Sequence, residues 1–155
     1  MTGAIAFLRP HTAAEAVALL EEHGDDGRVV AGATAVTILL RRALIYPSAL
    51  ISIGGLPGLS EISEEDGALN IGALVTHRAV ELSPIVSQLV PALAETFGTV
   101  GNVRIRHAAT VGGVLAEADY ASDPPAAFLA MDATVQALHP ETTRPRRGPS
   151  LGPRP

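Results

Sequence analysis

Thr99 to Asp132 reads TVGNVRIRHAATVGGVLAEADYASDPPAAFLAMD, and the interpretation of the whole chain depends on this stretch. Its centre, Thr110-Val111-Gly112-Gly113, contains a hydroxyl side chain and two glycines. Glycine permits positive φ angles and lets the backbone come close to a neighbouring group. Such a backbone suits contact with a phosphate group. Taken alone, the same residues fit a hairpin turn flanked by solvated arginines equally well.

The residues on either side of this turn extend the hypothesis. Arg104 and Arg106 lie two positions apart, so in an extended segment both guanidinium groups would point to the same side. We predict a strand near residues 111–115 and a helix after it. Asp123 precedes two prolines, which predicts a helix N-cap there, a role compatible with a ribose or pyrophosphate contact. Because no histidine lies at ligand spacing beside Asp119 and Asp123, we assign no metal ligand. Ser83 and Ser122 have no evident histidine partner, so we assign no catalytic residue.

Short apolar runs alternate with helical patterns in the first third of the chain. Thr12 and Glu15 form a Thr-x-x-Glu capping box, which predicts the start of a helix. The order strand–helix–strand–helix–strand with short links predicts a small parallel sheet with crossover helices. The predicted elements are residues 4–8, 13–23, 28–31, 35–44 and 49–53.

A second turn of small residues, Ala31-Gly32-Ala33-Thr34-Ala35, follows the second predicted strand. Free amides at a helix N-terminus, together with the positive end of the helix dipole, form an anion site. The Thr34 hydroxyl adds a donor. On its own the segment is also typical of a plain tight turn. It matches neither GxGxxG nor GxxxxGK[ST], which argues against a nicotinamide-type Rossmann site and a P-loop.

The pattern changes after residue 57. Residues 61–63 and 68–71 flank a turn signal, which predicts an antiparallel hairpin. Helices follow, and a strand is predicted over residues 133–138. From His139 onward the chain has five prolines and four arginines and almost nothing apolar, which predicts a disordered tail.

Composition narrows the classes of function. The chain has 155 residues, of which 47% are hydrophobic, and no cysteine. The lack of cysteine excludes disulfides, thiolate zinc sites and iron–sulfur clusters held by this chain. A net charge of −5 argues against a broad surface for nucleic acid. No apolar run approaches the ~20 residues of a membrane helix, and no secretory signal is evident, so we expect a cytoplasmic location.

Three motifs in order resemble a known family. They are AGATAVTILLRR from residue 31, LNIGALVTHRAVELSP from residue 69 and VGNVRIRHAATVGGVLAEADYASDPPAAFLAMDATV from residue 100. Over residues 4–138 the chain is similar to the FAD-binding medium subunit of molybdenum hydroxylases, of the carbon monoxide dehydrogenase and xanthine dehydrogenase type. The resemblance implies an α+β FAD-binding fold of the vanillyl-alcohol-oxidase type. In that fold a small parallel βαβαβ lobe precedes a lobe with an antiparallel sheet and helices.

The resemblance also implies where the cofactor FAD binds. The family's AGG[TH]S loop falls on Ala31, Gly32, Ala33, Thr34 and Ala35, and its T[IV]GGN loop falls on Thr110, Val111, Gly112, Gly113 and Val114. The family's aspartate after the second loop falls on Asp123. Arg104, just before the second loop, completes the predicted cofactor-binding set. Ala33 stands where the family pattern has glycine, and Val114 stands where it has asparagine.

The family assigns the remaining chemistry to other chains. Its FAD takes electrons from iron–sulfur clusters on a small subunit, which a molybdopterin-containing large subunit reduces, and the absence of cysteine fits that division. We predict an N-terminal α/β lobe over residues 1–56, a partial second lobe over 57–138 and the tail over 139–155. The similarity ends short of the family's length, so we expect an incomplete second lobe.

Three functions remain open at this stage. The leading hypothesis is an FAD-binding electron-transfer subunit of a heterotrimeric complex. The alternative is a truncated, flavin-free fragment that at most docks to partner subunits. A stand-alone flavoenzyme of the same fold is a third hypothesis, which the lack of a proton-transfer residue near the loops disfavours.

Overall fold

The computed structural model describes residues 4–119 and 121–137, together with the backbone of residues 144–147. Its first part contains the predicted alternation of strands and helices. The elements are β1 (Ala6–Leu8), α1 (Ala13–His23), β2 (Gly27–Val30), α2 (Thr34–Arg41) and β3 (Ala49–Ser52). The three strands form a parallel sheet in the order β1-β3-β2. This confirms the predicted parallel α/β lobe.

The predicted capping box at the start of α1 forms only in part. The Thr12 hydroxyl accepts a hydrogen bond from the Glu15 amide at 3.1 Å. The Glu15 carboxylate accepts from the His11 amide at 2.7 Å, one residue before the expected partner. The helix then lies against the sheet, where its Ala16 joins a core made by Ile51, Leu56 and Leu74. Burial of these apolar side chains fixes α1 on one face of the sheet.

The second part contains a hairpin and six helices among the described residues. Its elements are β4 (Ile62–Glu65), β5 (Ala68–Ile71), α3 (His77–Leu82), α4 (Pro84–Leu89), α5 (Pro91–Thr99), α6 (Val103–Ala108), α7 (Val111–Glu117), α8 (Asp123–Ala130) and β6 (Thr134–Ala137). The antiparallel pairing of β4 with β5 confirms the predicted hairpin. The strand predicted over residues 111–115 is wrong, because that segment is the helix α7.

A second core, centred on Phe97 of α5, holds this part together. Its buried members are Val75, Val80, Val86, Leu93, Ala94, Phe97 and Val111. Phe97 is fully buried and meets the rings of His77 and Phe128 edge-to-face, at 4.8 Å and 5.9 Å between centroids. The neighbouring residues Leu74 and Val75 belong to the first and the second core respectively. The segment that precedes α3 therefore contributes to both cores.

One strand lies inside the segment predicted to be disordered. Residues Arg144–Arg147 form β7, which pairs antiparallel with Thr134–Ala137 of β6. The structure differs from the prediction at these four residues, because backbone pairing with β6 requires no apolar side chains. The remainder of the predicted tail lies outside the described residues. In the described part of the chain, every helix is too short or too polar to cross a bilayer.

Candidate functional site

The first loop, Ala31–Ala35, lies where β2 ends and α2 begins. Ala33 adopts a left-handed conformation (φ 55°), and α2 starts at the next residue without a side-chain cap. In the first i to i−4 hydrogen bond of this helix, the Thr37 amide donates to the Ala33 carbonyl at 2.9 Å. Five successive amides have no hydrogen-bond partner among the described residues: those of Gly32, Ala33, Thr34, Ala35 and Val36. Unpaired amides at a helix N-terminus favour an anion.

Gly32 brings this loop against the segment that leads into the second loop. A Cβ atom placed on Gly32 would lie 1.7 Å from the Ala108 carbonyl oxygen and 3.2 Å from the Ala109 nitrogen. The two backbones are therefore in direct contact, and only glycine fits at this position. Thr110 follows directly, so the structure brings the two predicted loops together although 78 residues separate Gly32 from Thr110 in the chain.

The second loop is the N-terminal turn of α7. The Thr110 hydroxyl caps the helix by accepting from the Gly113 amide at 3.1 Å. The Val111 amide donates to the Val75 carbonyl at 2.9 Å, and the Gly112 amide donates to the Ala73 carbonyl at 2.8 Å. These three amides are thus already paired within the protein. The second loop can shape a site, but it has fewer free donors than the first.

Gly112 shows why the turn is rich in glycine. A Cβ atom at this position would lie 2.7 Å from the Ala73 Cβ and 2.8 Å from the Ala73 carbonyl oxygen. The glycine allows α7 to approach the segment before α3 closely enough for the Val111 and Gly112 amides to reach the Val75 and Ala73 carbonyls. Val114, the last residue of the predicted loop, lies inside α7, and its amide bonds to the Thr110 carbonyl at 3.0 Å.

His77 joins α3 to the same turn. Its side chain is buried, and its Nε2 lies 3.3 Å from the Thr110 carbonyl oxygen. Because a carbonyl only accepts, Nε2 carries the proton, which leaves Nδ1 as an acceptor. Nδ1 is buried and has no partner in the described structure. Burial lowers the pKa of His77 from its ordinary value, against a smaller opposing effect of the bond to Thr110.

We therefore expect the stability of the fold to decrease in mild acid. A histidine with a lowered folded pKa gives a stability that is complete above its unfolded pKa of 6.5 and is lost below it. The free energy of unfolding should fall between about pH 7 and pH 5.5, with a slope of at most ~1.4 kcal/mol per pH unit from this residue. Urea titrations of wild type and His77→Gln across this range provide the measurement. An equal slope in both proteins would contradict it.

The structure corrects the prediction for Arg104 and Arg106. Both lie on the helix α6, which Asn102 caps by accepting from two amides at 3.0 and 3.1 Å. Two positions in a helix are about 200° apart, so these side chains point in different directions. Arg104 is exposed and makes no ion pair within the described part of the chain. Asn102 was the sequence signal for a helix that the extended interpretation overlooked.

Arg106 makes its contacts within the protein. Its Nε donates to Glu81 at 2.9 Å, and its Nη1 lies 3.3 Å from the carbonyl oxygens of Val100 and Gly101. Arg78 donates to the same carboxylate at 2.6 Å. The hydrogen bond from Arg78, and then that from Arg106, lower the pKa of Glu81. Arg106 thus holds the turn before α6 against α3.

The two arginines offer a matched pair for measurement. Arg106→Ala should lower the free energy of unfolding by about 1 kcal/mol, because the Val100 and Gly101 carbonyls lose their shared donor. Arg104→Ala removes the same charge from an exposed site and should change it by less than about 0.5 kcal/mol. Chemical denaturation of both variants tests this difference. Equal losses would show that charge, and not the hydrogen bonds, is responsible.

The prediction that Asp123 caps a helix is also corrected. Asp123 is the first residue of α8, the N-cap is Ser122, and no side-chain bond caps the helix. The exposed carboxylate still lies in the first turn, where the helix dipole favours a negative charge. The structure places α8 against α5 and α7. A contact between Asp123 and a ligand stays a prediction.

The fold and the two apposed loops agree with a match to a known family. The family described as the FAD binding domain in molybdopterin dehydrogenase matches residues 3–147. The chain belongs to this family, whose cofactor is FAD. The match extends nine residues beyond residue 138, where the sequence similarity was expected to end.

Individual relatives agree with this assignment. The chain is 38% identical over 132 residues to the 6-hydroxypseudooxynicotine dehydrogenase complex subunit alpha of Paenarthrobacter nicotinovorans, covering 84% of this chain and 45% of the relative. It is 32% identical to the carbon monoxide dehydrogenase medium chain of Hydrogenophaga pseudoflava, covering 92% and 50%. A solved structure of carbon monoxide dehydrogenase from the same organism superimposes with a TM-score of 0.91 at 30% identity, covering 95% and 51%. The chain spans about half the length of these relatives.

Proposed function

We propose that this chain binds FAD where the first loop meets the segment before α7, and that it serves in the electron-transfer subunit of a molybdenum hydroxylase. One observation carries the proposal: residues 32–36 form a row of unpaired amides, and Gly32 at its start packs against the backbone of Ala108. A row of amide donors at a helix N-terminus fits the charge and the acceptor oxygens of a diphosphate. The residues present therefore suit the cofactor of the family.

The two loops have different roles in this proposal. Ala31–Ala35 donates to the diphosphate, and Thr110–Val114 forms a fixed wall beside it because its first amides are already paired. We assign the exposed Arg104 to attraction of the phosphate charge and Asp123 to a ribose hydroxyl. Bound FAD supplies the redox chemistry, while the protein supplies binding and orientation.

The source of the electrons is part of the same proposal. Without cysteine it holds no iron–sulfur cluster of its own. We propose that it receives electrons from the clusters of a small partner subunit, which a molybdopterin-containing large subunit reduces, and that they pass to a separate acceptor. Two relatives support a multi-subunit assembly, since they are a complex subunit alpha and a medium chain.

FAD uptake is the direct test. The purified chain, incubated with FAD and freed of excess by gel filtration, should retain visible flavin absorption. It should also bind FAD at least about tenfold more tightly than riboflavin, which lacks the diphosphate. A colourless protein that takes up no FAD would overturn the proposal and leave the flavin-free docking fragment. Bleaching of the flavin by a substrate without partner subunits would favour a stand-alone flavoenzyme.

Ala33 provides a sharper test of the first loop. A left-handed conformation is unfavourable for alanine, so Ala33→Gly should raise the free energy of unfolding by about 0.5–1 kcal/mol. The same change should strengthen FAD binding, since it removes a methyl group beside the proposed diphosphate. Ala43→Gly is the matched control, because Ala43 has φ 53° in the turn that ends α2. It should raise stability similarly and leave FAD affinity unchanged. A gain in affinity in both variants would contradict a local effect of Ala33.

A further inference from the structure

His77 is a buried titratable group that the proposed function leaves without a role. Its imidazole is 2% exposed, and Phe97 packs against it edge-to-face. Burying an imidazole costs free energy unless its two nitrogen atoms make hydrogen bonds, whereas an apolar side chain carries no such cost. One of them, Nε2, is used for the Thr110 carbonyl, and the other, Nδ1, has no partner among the described residues. The core could be filled without this cost by a phenylalanine.

The bond that His77 makes lies at the junction of the two loops. Its backbone amide donates to the Ala109 carbonyl at 2.9 Å, and its side chain reaches the next carbonyl, that of Thr110. Thr76 and Thr110 form an isolated antiparallel bridge, completed by the bond from the Val111 amide to Val75. Ala108, the residue that contacts Gly32, lies directly before these bonds. Its position is thus set by α3 on one side and by α6 on the other.

We propose that His77 is a positioning residue for the cofactor site, whose neutral imidazole holds the Ala108–Thr110 segment in the place where the first loop meets it. The role concerns FAD binding and therefore rests on the function proposed above. His77 acts through Thr110 and makes no contact with the cofactor in this proposal. A phenylalanine could fill the same volume, but it would leave the Thr110 carbonyl without its side-chain donor.

Protonation of His77 should loosen the same junction. Protonation would place a second N–H at Nδ1, where it would be buried without a hydrogen-bond acceptor. Burying an unpaired donor and its charge costs free energy. The charged and titratable groups on the elements that pack against α3 are Glu95 on α5 and Arg104, Arg106 and His107 on α6, while α4 has none. Arg78 and Glu81 lie on α3 itself. None of these groups contributes to the shift in the pKa of His77, whose causes are burial and the bond to Thr110.

Three variants separate positioning from simple stability. His77→Phe keeps an aromatic ring and removes the donor. His77→Gln keeps a donor and removes the titration. Val80→Ala truncates a fully buried side chain of the same helix that lies outside the bonds to Thr110, so it serves as the control for lost stability. All FAD titrations are made under conditions where each protein is folded, as judged by circular dichroism.

We expect His77→Phe to weaken FAD binding by roughly five- to tenfold at pH 8, the effect of losing one hydrogen bond at the junction. His77→Gln should keep the wild-type affinity at this pH, and so should Val80→Ala. On acidification to about pH 5.5, the affinity of wild type should fall while that of His77→Gln stays constant. Equal losses in His77→Phe and Val80→Ala, or the same pH profile in wild type and His77→Gln, would overturn the proposal.

A second measurement needs no FAD. Amide hydrogen exchange at Val111 and Gly112 should be faster in His77→Phe than in wild type and unchanged in His77→Gln, because these amides bond across the junction. Unchanged exchange in His77→Phe would overturn the positioning role whatever the FAD result. If wild type takes up no FAD, the proposed function fails, and the exchange experiment still decides whether His77 holds the Thr110 turn. Faster exchange with unaltered FAD affinity would refute the link to the cofactor.

Discussion

Gly32→Ala is expected to lower the free energy of unfolding by about 3 kcal/mol, a cost at the upper end for an added methyl group in a packed interior. The new Cβ atom would lie 1.7 Å from the Ala108 carbonyl oxygen and 2.6 Å from its carbonyl carbon. Both atoms belong to the backbone, so no side chain can rotate away to make room. The first loop must separate from Ala108, and the contact that joins the two loops is lost.

Gly55→Ala is the matched control, because a Cβ atom at Gly55 would meet nothing within 4 Å. This variant should change the free energy of unfolding by less than about 1 kcal/mol. Urea denaturation of both variants, with the slope checked against wild type, gives the comparison. FAD binding should be lost in Gly32→Ala even where the protein is folded, and kept in Gly55→Ala. A Gly32→Ala protein as stable as Gly55→Ala would show that the two loops are not in contact.

Phe97→Ala is expected to cost about 3–5 kcal/mol, the usual range for removing a buried phenylalanine ring. Phe97 has no solvent exposure and lies at the centre of the second core. Two edge-to-face partners, His77 and Phe128, would lose their contact as well. Because a folded domain of this size has a margin of only about 5–15 kcal/mol, this loss would remove much of its stability.

Phe7→Ala is the control for the same chemical change at the surface. Phe7 is 54% exposed, and its ring is covered by the guanidinium of Arg9 at 5.2 Å. The cost should therefore be limited to about 1–2 kcal/mol, from a partly buried ring and an exposed cation–π contact. Thermal and urea unfolding of the two variants provide the values. Similar losses at both sites would contradict a second core organised by Phe97.

The parallel lobe and the hairpin could be predicted because their signals are local. The Thr12 hydroxyl cap and the turn at Asp66-Gly67 each depend on a few neighbouring residues, and both occur at the predicted positions. The start of α4 is local in the same sense, since Pro84 is its first residue and the Ser83 hydroxyl accepts from the Val86 amide at 3.3 Å. Such contacts depend on side chains close in sequence, which a single sequence displays directly.

The second loop could not be predicted in the same way. Val111, Gly112 and Gly113 are poor helix formers, so propensity favours a turn or a strand. Their helix is stabilised by bonds from the Val111 and Gly112 amides to carbonyls near residue 74, which no local pattern reveals. No local pattern indicates the bond between His77 and Thr110 either, because these residues lie 33 positions apart. Tertiary contacts decided both outcomes.

The difference in pairing between the two loops has a kinetic consequence. The amides of Val111, Gly112 and Gly113 are bonded before any ligand arrives, so this side of the site is preorganised. The conformational entropy lost when FAD binds should therefore come mainly from the ordering of the short β2–α2 turn. We expect mutations in that turn to change the rate at which FAD dissociates. Mutations in the α7 turn should instead change the fraction of molecules that can bind FAD at all.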